Sequence, residues 1–159
     1  RIELNQITEQ IGTDLKLFYH KQGYQKNLNL VIKMHKKHSL NFLLIYPNIK
    51  SSTKDVYSKV KNFSKKRSIH QKNFRKKRNF IRRLAYLKND LQSVVENKYR
   101  LIHNLLKDIN NLKGCHFSRV TGSGSVCYGL FVNNKCSKAA LKNLRKKYPK
   151  FWFSIAKTI

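Results

Sequence analysis

The spacing of apolar positions along the chain changes period several times, and each change marks an element. Leu4, Ile7 and Ile11 recur at helical spacing and Gly12 follows where a helix ends in a left-handed residue, so residues 2–11 read as a helix closed by a Thr13–Asp14 junction. Leu15, Leu17 and Tyr19 alternate with Lys16, Phe18 and His20 up to a turn at Gly23, and Leu28 to Met34 is a second extended run. Two short strands are expected there. The polar stretch Lys33 to Ser39 reads as a connection, which puts a boundary near residue 37 and divides the chain into residues 1–36 and 37–159. The first residues look like the middle of an amphipathic helix and the only methionine is Met34, so the chain is expected to be a fragment of something longer.

Leu40 to Tyr46 is almost continuously apolar and stops at Pro47, the pattern of a central strand. Ser52 and Asp55 then have the spacing of a capping box, and Val56, Val60 and Phe63 continue one stripe of a helix. A second reciprocal cap is expected between Asn89 and Gln92, ahead of Leu91, Val94, Val95, Ile102, Leu105, Leu106 and Ile109, which divide over one or two helices. Cys115 to Val120 and Val126 to Val132 read as strands around a loop at Thr121 to Ser125. Ala140, Leu141, Leu144 and Tyr148 mark a helix that Pro149 ends, and Phe151 to Ile155 supplies a last strand. From residue 40 the order β-α-α-β-β-α-β predicts an α+β domain, an antiparallel sheet of ferredoxin-like kind with helices on one face.

Charge adds a second theme. The 35 Lys and Arg against 7 Asp and Glu leave a formal charge of +28, which favours anionic ligands or surfaces, although Lys and Asn are spread over every segment as under a general compositional bias. Lys61 to Arg83 holds eleven Lys or Arg and no acid. Without evident apolar periodicity it reads as a mobile surface excursion. The competing reading is a basic RNA- or ribosome-associated protein, in which this segment contacts phosphates and Phe74, Phe80 and Tyr86 stack on bases. No apolar run reaches the roughly 18 residues of a membrane span and no charged-then-apolar leader opens the chain, so a soluble, cytoplasmic protein without membrane partners is expected. Cys115, Cys127 and Cys136 are odd in number and lack Cys-x-x-Cys spacing, which predicts buried thiols, no disulfide framework and no metal site.

The most unusual stretch is Arg119-Val120-Thr121-Gly122-Ser123-Gly124-Ser125. Glycine allows successive amides to point at one anion and removes side chains from its approach, so the loop is either an anion-binding nest or an ordinary glycine turn. A dinucleotide fingerprint would need glycine at Cys127 and a helix afterwards, Walker A would need a Gly-Lys-Ser/Thr ending, and a hydrolase elbow would need glycines two residues either side of Ser123 or Ser125. None of the three patterns is met.

The run Ser118 to Phe131, with Thr121-Gly122-Ser123-Gly124-Ser125 at its centre, resembles the third motif of the GHMP kinases. It is most similar to the branch acting on 4-diphosphocytidyl-2-C-methyl-D-erythritol. Three further landmarks follow that family's order: Ile11-Gly12-Thr13-Asp14 resembles its Gly-x-Asp junction, Tyr46-Pro47-Asn48 with Ser51 to Tyr57 its Pro-bearing strand end and Ser-Thr helix, and Asn89-Asp90-Leu91 its Asn-Asp helix start. The likeness spans nearly the whole chain but about the C-terminal half of a family member. The family's first motif, with its lysine and Tyr-His pair, and its Gly-Ser-Ser ATP loop have no match and are expected upstream of Arg1. Leu15-Lys16 stands where the family has Val-Pro.

The resemblance implies phosphoryl transfer from ATP, with Mg²⁺, to the tertiary 2-hydroxyl of that small-molecule substrate in the non-mevalonate isoprenoid pathway, and it leaves no need for nucleic acid. It also makes residues 1–36 the tail of an N-terminal kinase domain and residues 37–159 the C-terminal domain. Asp14 matches the catalytic aspartate, Thr53 and Tyr57 match substrate-binding positions with Tyr57 stacking on the cytosine, and Thr121, Gly122, Ser123, Gly124 and Ser125 match the phosphate-side loop. Without the family, Asp14 reads as a turn residue and Tyr57, beside Val56 and Val60, as core. Gly122→Val is expected to damage activity more than Gly129→Val, because Gly129 lies inside a strand.

Overall fold

A computed structural model describes residues 17, 22–27, 30–34, 36–64 and 75–158. The expected helix at 2–11, its Gly12 end, Asp14 and most of the first extended run lie outside these residues. Strands β1 (Gly23–Asn27) and β2 (Leu30–Lys33) pair antiparallel, Gly23 opposite Lys33. Gly23 therefore opens a strand rather than forming the turn expected there. The second strand falls within the predicted run, and Gln22 holds the hairpin's end to the main body through both atoms of its amide, which bond the carbonyl and amide of His38 at 2.8 and 3.0 Å.

The remaining strands, β3 (Asn41–Tyr46), β4 (Cys115–Val120), β5 (Cys127–Phe131) and β6 (Trp152–Lys157), form one antiparallel sheet in the order β4-β5-β3-β6. Numbered from β3, this is 2-3-1-4, the ferredoxin-like arrangement. β3 is interior, as its near-continuous apolar run predicts, with Leu43 opposite Gly129 on one side and Ile155 on the other. The helices are α1 (Thr53–Ser58), α2 (Lys77–Tyr86), α3 (Gln92–Lys98), α4 (Arg100–Asn110) and α5 (Asn134–Lys147). Tyr99 alone separates α3 from α4.

Alternation along the strands sends two sets of side chains to two cores. Leu43, Ile45, Cys127, Phe131 and Phe153 join Ile102, Leu105 and Ile109 of α4, Ala140 and Leu144 of α5, and Val95 of α3. This is the helix-covered face that the sequence pattern predicts. Leu130 and Phe117 join Leu40, Met34 and Phe80 in a smaller cluster, with Phe42, Tyr128, Ile81 and Leu84 packed against it.

That second cluster corrects the reading of the basic segment. Residues 77–83 are helical, Phe80 is buried and stacked on buried His38 with ring centroids 5.1 Å apart. Phe80, Ile81 and Leu84 form a narrow apolar stripe hidden by the surrounding Lys and Arg. Arg119 closes the far end of α2 by donating to the carbonyls of Leu84 and Ala85 at 3.1 and 3.4 Å, where a cation also suits the helix dipole. In the opposite sense, α1 is shorter than its predicted stripe: it ends at Ser58 and Phe63 is exposed.

Candidate functional site

The site is built where the β4–β5 loop meets the segment before α1 and the start of α3. Thr121 donates its amide to Val126 O at 2.9 Å and Gly124 to Thr121 O at 2.8 Å, which closes a tight loop between the strands. Gly122 and Gly124 have φ of +47° and +83°, a region that side-chain-bearing residues rarely enter. The amides of Gly122 and Ser123 meet no acceptor among the described residues.

Three contacts join this loop to the chain before α1 and to the first residue of that helix. Ser51 donates its hydroxyl to Ser123 O at 2.8 Å, the Thr53 and Ser123 hydroxyls lie 2.9 Å apart, and buried Ser125 donates its hydroxyl to Ile49 O at 2.5 Å. Thr53, at the first turn of α1, and the glycine loop therefore share one site. The predicted cap of α1 forms, the Ser52 hydroxyl accepting from the Asp55 amide at 3.3 Å. Asp55 in turn binds Lys98 of α3 at 2.6 Å and Lys59 at 2.9 Å. Those two ammonium groups hold its carboxyl below the usual carboxylate range.

On the other side, Asn89 and Gln92 do not cap each other as expected. Asn89 donates Nδ2 to Val120 O at 3.0 Å and Gly122 O at 2.8 Å, and its Oδ1 accepts from the Leu91 amide at 3.1 Å. Gln92 accepts from the Val120 amide at 3.2 Å and donates to Glu96 at 2.7 Å, and Glu96 meets His103 Nδ1 at 2.7 Å. The polar groups expected to finish the helix are thus drawn to the strand end, whose backbone needs partners where the ladder stops. Neighbouring Asp90 accepts from the Ser64 hydroxyl and amide, which keep its carboxyl low. An open cleft of about 1110 Å³ adjoins this corner, lined by Ser64, Tyr86, Asp90, Glu96, His103 and Arg119 among others.

Tyr57 is 52% exposed while Val56 is buried, so the core reading of Tyr57 is overturned and its ring is available to a ligand. Of the aromatics expected to stack on RNA, Phe80 is buried, Tyr86 is exposed and Phe74 lies outside the described residues. Cys127 is buried and its thiol is pushed up to about 12 by burial; Cys115 is likewise pushed up to about 11. Cys127 alone is a buried core thiol as expected; Cys115 and Cys136 are partly buried against the same core, and all three are free. Among the described residues no group of three or more His, Cys, Asp or Glu is placed to hold a metal ion, and no helix is long and apolar enough to cross a membrane.

Three residues that bond the glycine loop or its strand end are not among the candidates singled out from the sequence: Ser51 and Asn89, which stand only within landmarks, and Gln92, which reads with Asn89 as a local cap.

Comparison with known proteins gives this corner a lineage. The family described as GHMP kinases C terminal matches residues 66–150. The 4-diphosphocytidyl-2-C-methyl-D-erythritol kinase of Pelagibacter ubique (strain HTCC1062) is 32% identical over 159 residues, 96% of this chain and 54% of that protein. The kinase of the same name from Caldanaerobacter subterraneus subsp. tengcongensis is 30% identical over 162 residues, 99% of this chain and 55% of that protein. The crystal structure of homoserine kinase from Cytophaga hutchinsonii ATCC 33406 is similar with a TM-score of 0.47 at 12% identity, over 82% of this chain and 44% of that one. The chain spans about half the length of the curated relatives it matches. With the family match running over more than half of its residues, the chain belongs to the GHMP kinases through their C-terminal domain.

Proposed function

We propose that the chain is the C-terminal part of a cytoplasmic kinase that transfers the terminal phosphoryl group of ATP to the tertiary 2-hydroxyl of 4-diphosphocytidyl-2-C-methyl-D-erythritol, a step of non-mevalonate isoprenoid synthesis. The observation that carries this reading is the 30–32% identity across nearly the whole chain to kinases of that name. The meeting of Thr53 and Ser123 supports it, because two segments singled out separately for substrate and phosphate form one surface.

In this reading the substrate hydroxyl oxygen attacks the γ-phosphorus, its proton passes to the Asp14 carboxylate, and ADP leaves. Such a transfer has little covalent work for the protein beyond placing the reactants and balancing charge, which suits a loop of small residues with outward amides. Thr121 to Ser125 flank the phosphates, Thr53 and Tyr57 hold the nucleotide end of the substrate. ATP fits the donor set of the loop. Mg²⁺ does not find carboxylates there: Asp55 is engaged by Lys59 and Lys98 and Asp90 by Ser64, so no described residue is assigned to it. Residues 1–36 are proposed as the tail of an N-terminal domain that carries the main ATP loop, and residues 37–159 as the C-terminal domain.

The test is direct. Full-length protein supplied with ATP and 4-diphosphocytidyl-2-C-methyl-D-erythritol is expected to release ADP and yield the 2-phosphate, whereas the 159-residue stretch alone is expected to be inactive. Phosphorylation of a different small alcohol in preference to this one would refute the substrate assignment.

A further inference from the structure

We propose that Asn89 is a positioning residue for the glycine loop: by holding Gly122 O, it turns the Gly122–Ser123 peptide so that the Ser123 amide faces outward as a donor to a phosphate. This deepens the kinase reading and rests on its view of the loop as a phosphate cradle.

A trans peptide is planar, with its C=O and N–H pointing in opposite directions, so whatever fixes the carbonyl also aims the next amide. The Val120–Thr121 peptide shows this at work. Asn89 takes Val120 O at 3.0 Å from one side, and the Thr121 amide leaves on the other to bond Val126 O at 2.9 Å. The Gly122–Ser123 peptide repeats the arrangement. The same Nδ2 takes Gly122 O at 2.8 Å, but the Ser123 amide on the far side has no acceptor among the described residues.

The carboxamide can hold only one way round. Its two N–H groups each have a carbonyl to bond, and its oxygen accepts from the Leu91 amide at 3.1 Å; a flip would set oxygen against two carbonyl oxygens. Gln92 steadies the strand end from the same helix start by accepting from the Val120 amide. Gly122 supplies the remaining requirement, since its φ of +47° turns the peptide in a position with open space beside it.

The test compares Asn89→Asp and Asn89→Ala in the full-length protein, with the Ser123 amide followed by NMR during titration with ATP or inorganic pyrophosphate. In the unmodified protein this amide is expected to shift on titration. Asn89→Ala is expected to lose that response and about tenfold to a hundredfold in kcat at every pH, less than the roughly 10²–10³ lost when a preorganised donor is itself removed. Asn89→Asp should be conditional. As a carboxylate it has no donor and repels both carbonyls, but as a neutral acid it regains one O–H, so the response and the rate relative to the unmodified protein are expected to recover only as pH falls into the ordinary carboxylic-acid range, toward about 4. An Asn89→Ala protein at any pH, or an Asn89→Asp protein at about pH 8, whose Ser123 amide shifts like the unmodified one would overturn the role of Asn89 alone. A Ser123 amide that ignores both phosphates in the unmodified protein would overturn the cradle reading and the proposal with it. Equal losses for Asn89→Asp across the whole pH range would reduce Asn89 to a structural residue.

Discussion

Thr53 and Ser123, 70 residues apart in the chain, meet hydroxyl to hydroxyl at 2.9 Å. The contact is exposed and therefore weak as a source of stability, since net gains near 1 kcal/mol are usual even for better-shielded hydrogen bonds. Its value lies in alignment. Thr53→Val keeps the branched shape and removes the hydroxyl, so unfolding midpoints are expected to change little while kcat/KM of the full-length kinase falls about tenfold, equivalent to about 1.4 kcal/mol. Pairing it with Ser123→Ala in a double-mutant cycle should give less than additive losses in kcat/KM, and strict additivity would show that the two hydroxyls act separately.

The glycines are expected to fail in an order that reverses the one read from the sequence. A Cβ on Gly129 would lie 2.5 Å from Ile109 Cγ2 and 2.8 Å from Phe131 Cε2, both buried, so Gly129→Val is expected to cost about 3 kcal/mol or to prevent folding. Gly124→Ala combines a φ of +83° with contacts of 3.3 Å to Val120 and Val95 and should cost about 1–3 kcal/mol. Gly122→Ala meets open space, so its cost is only the strain of a side chain at a φ of +47°, about 1–2 kcal/mol. Urea midpoints should rank the three variants, and Gly122 is the position where activity should fall further than stability.

Tyr57 stands half in solvent on a short helix whose inward residue is Val56. Tyr57→Ala should therefore leave the melting temperature nearly unchanged. If the ring stacks on cytosine, substrate affinity should drop tenfold or more with ATP affinity unaltered, since base stacking is worth about 1–3 kcal/mol. Tyr57→Phe should be nearly silent. Isothermal titration with the cytidine substrate decides, and an alanine variant with normal affinity removes Tyr57 from the site.

Shortening the basic segment should be tolerated only up to α2. Phe80 fills the smaller core against Leu130, Phe117 and His38, so Phe80→Ala is expected to cost about 3 kcal/mol, while Lys77→Ala and Arg78→Ala on the exposed side should change stability by less than about 0.5 kcal/mol. Chemical denaturation of the three variants tests this. Equal effects would mean that α2 is not anchored by its apolar stripe.

Asp14 carries the proposed proton transfer, and Asn is nearly isosteric with it but cannot take up a proton. In the full-length protein, Asp14→Asn should lower kcat by roughly 10²–10⁴ with cytidine-substrate binding retained. Wild-type turnover by this variant would return Asp14 to a turn residue.

The order of elements from residue 40 onward was legible because each is coded locally: the unbroken apolar run of β3, the Ser52 cap, the change from helical to alternating period at Cys115, and Pro149 after α5. The family landmarks were legible for the same reason, being contiguous motifs. What local pattern could not supply was which polar group meets which. Asn89 and Gln92 satisfy the spacing of a capping box, yet their amides bond Val120 and Gly122, because a strand end and a glycine loop with unmet backbone groups are brought within reach only when the fold sets the end of β4 at the start of α3. Phe80 was lost in a field of Lys and Arg for a related reason, as a stripe of three apolar residues becomes a core only when the far face of the sheet is there to receive it. Gly129 looked like an ordinary strand residue until Ile109 of α4 closed over it. Periodicity along a chain reports which face of an element is buried, and the partners across that face, which set the cost of a methyl group or the aim of an amide, belong to the packed molecule.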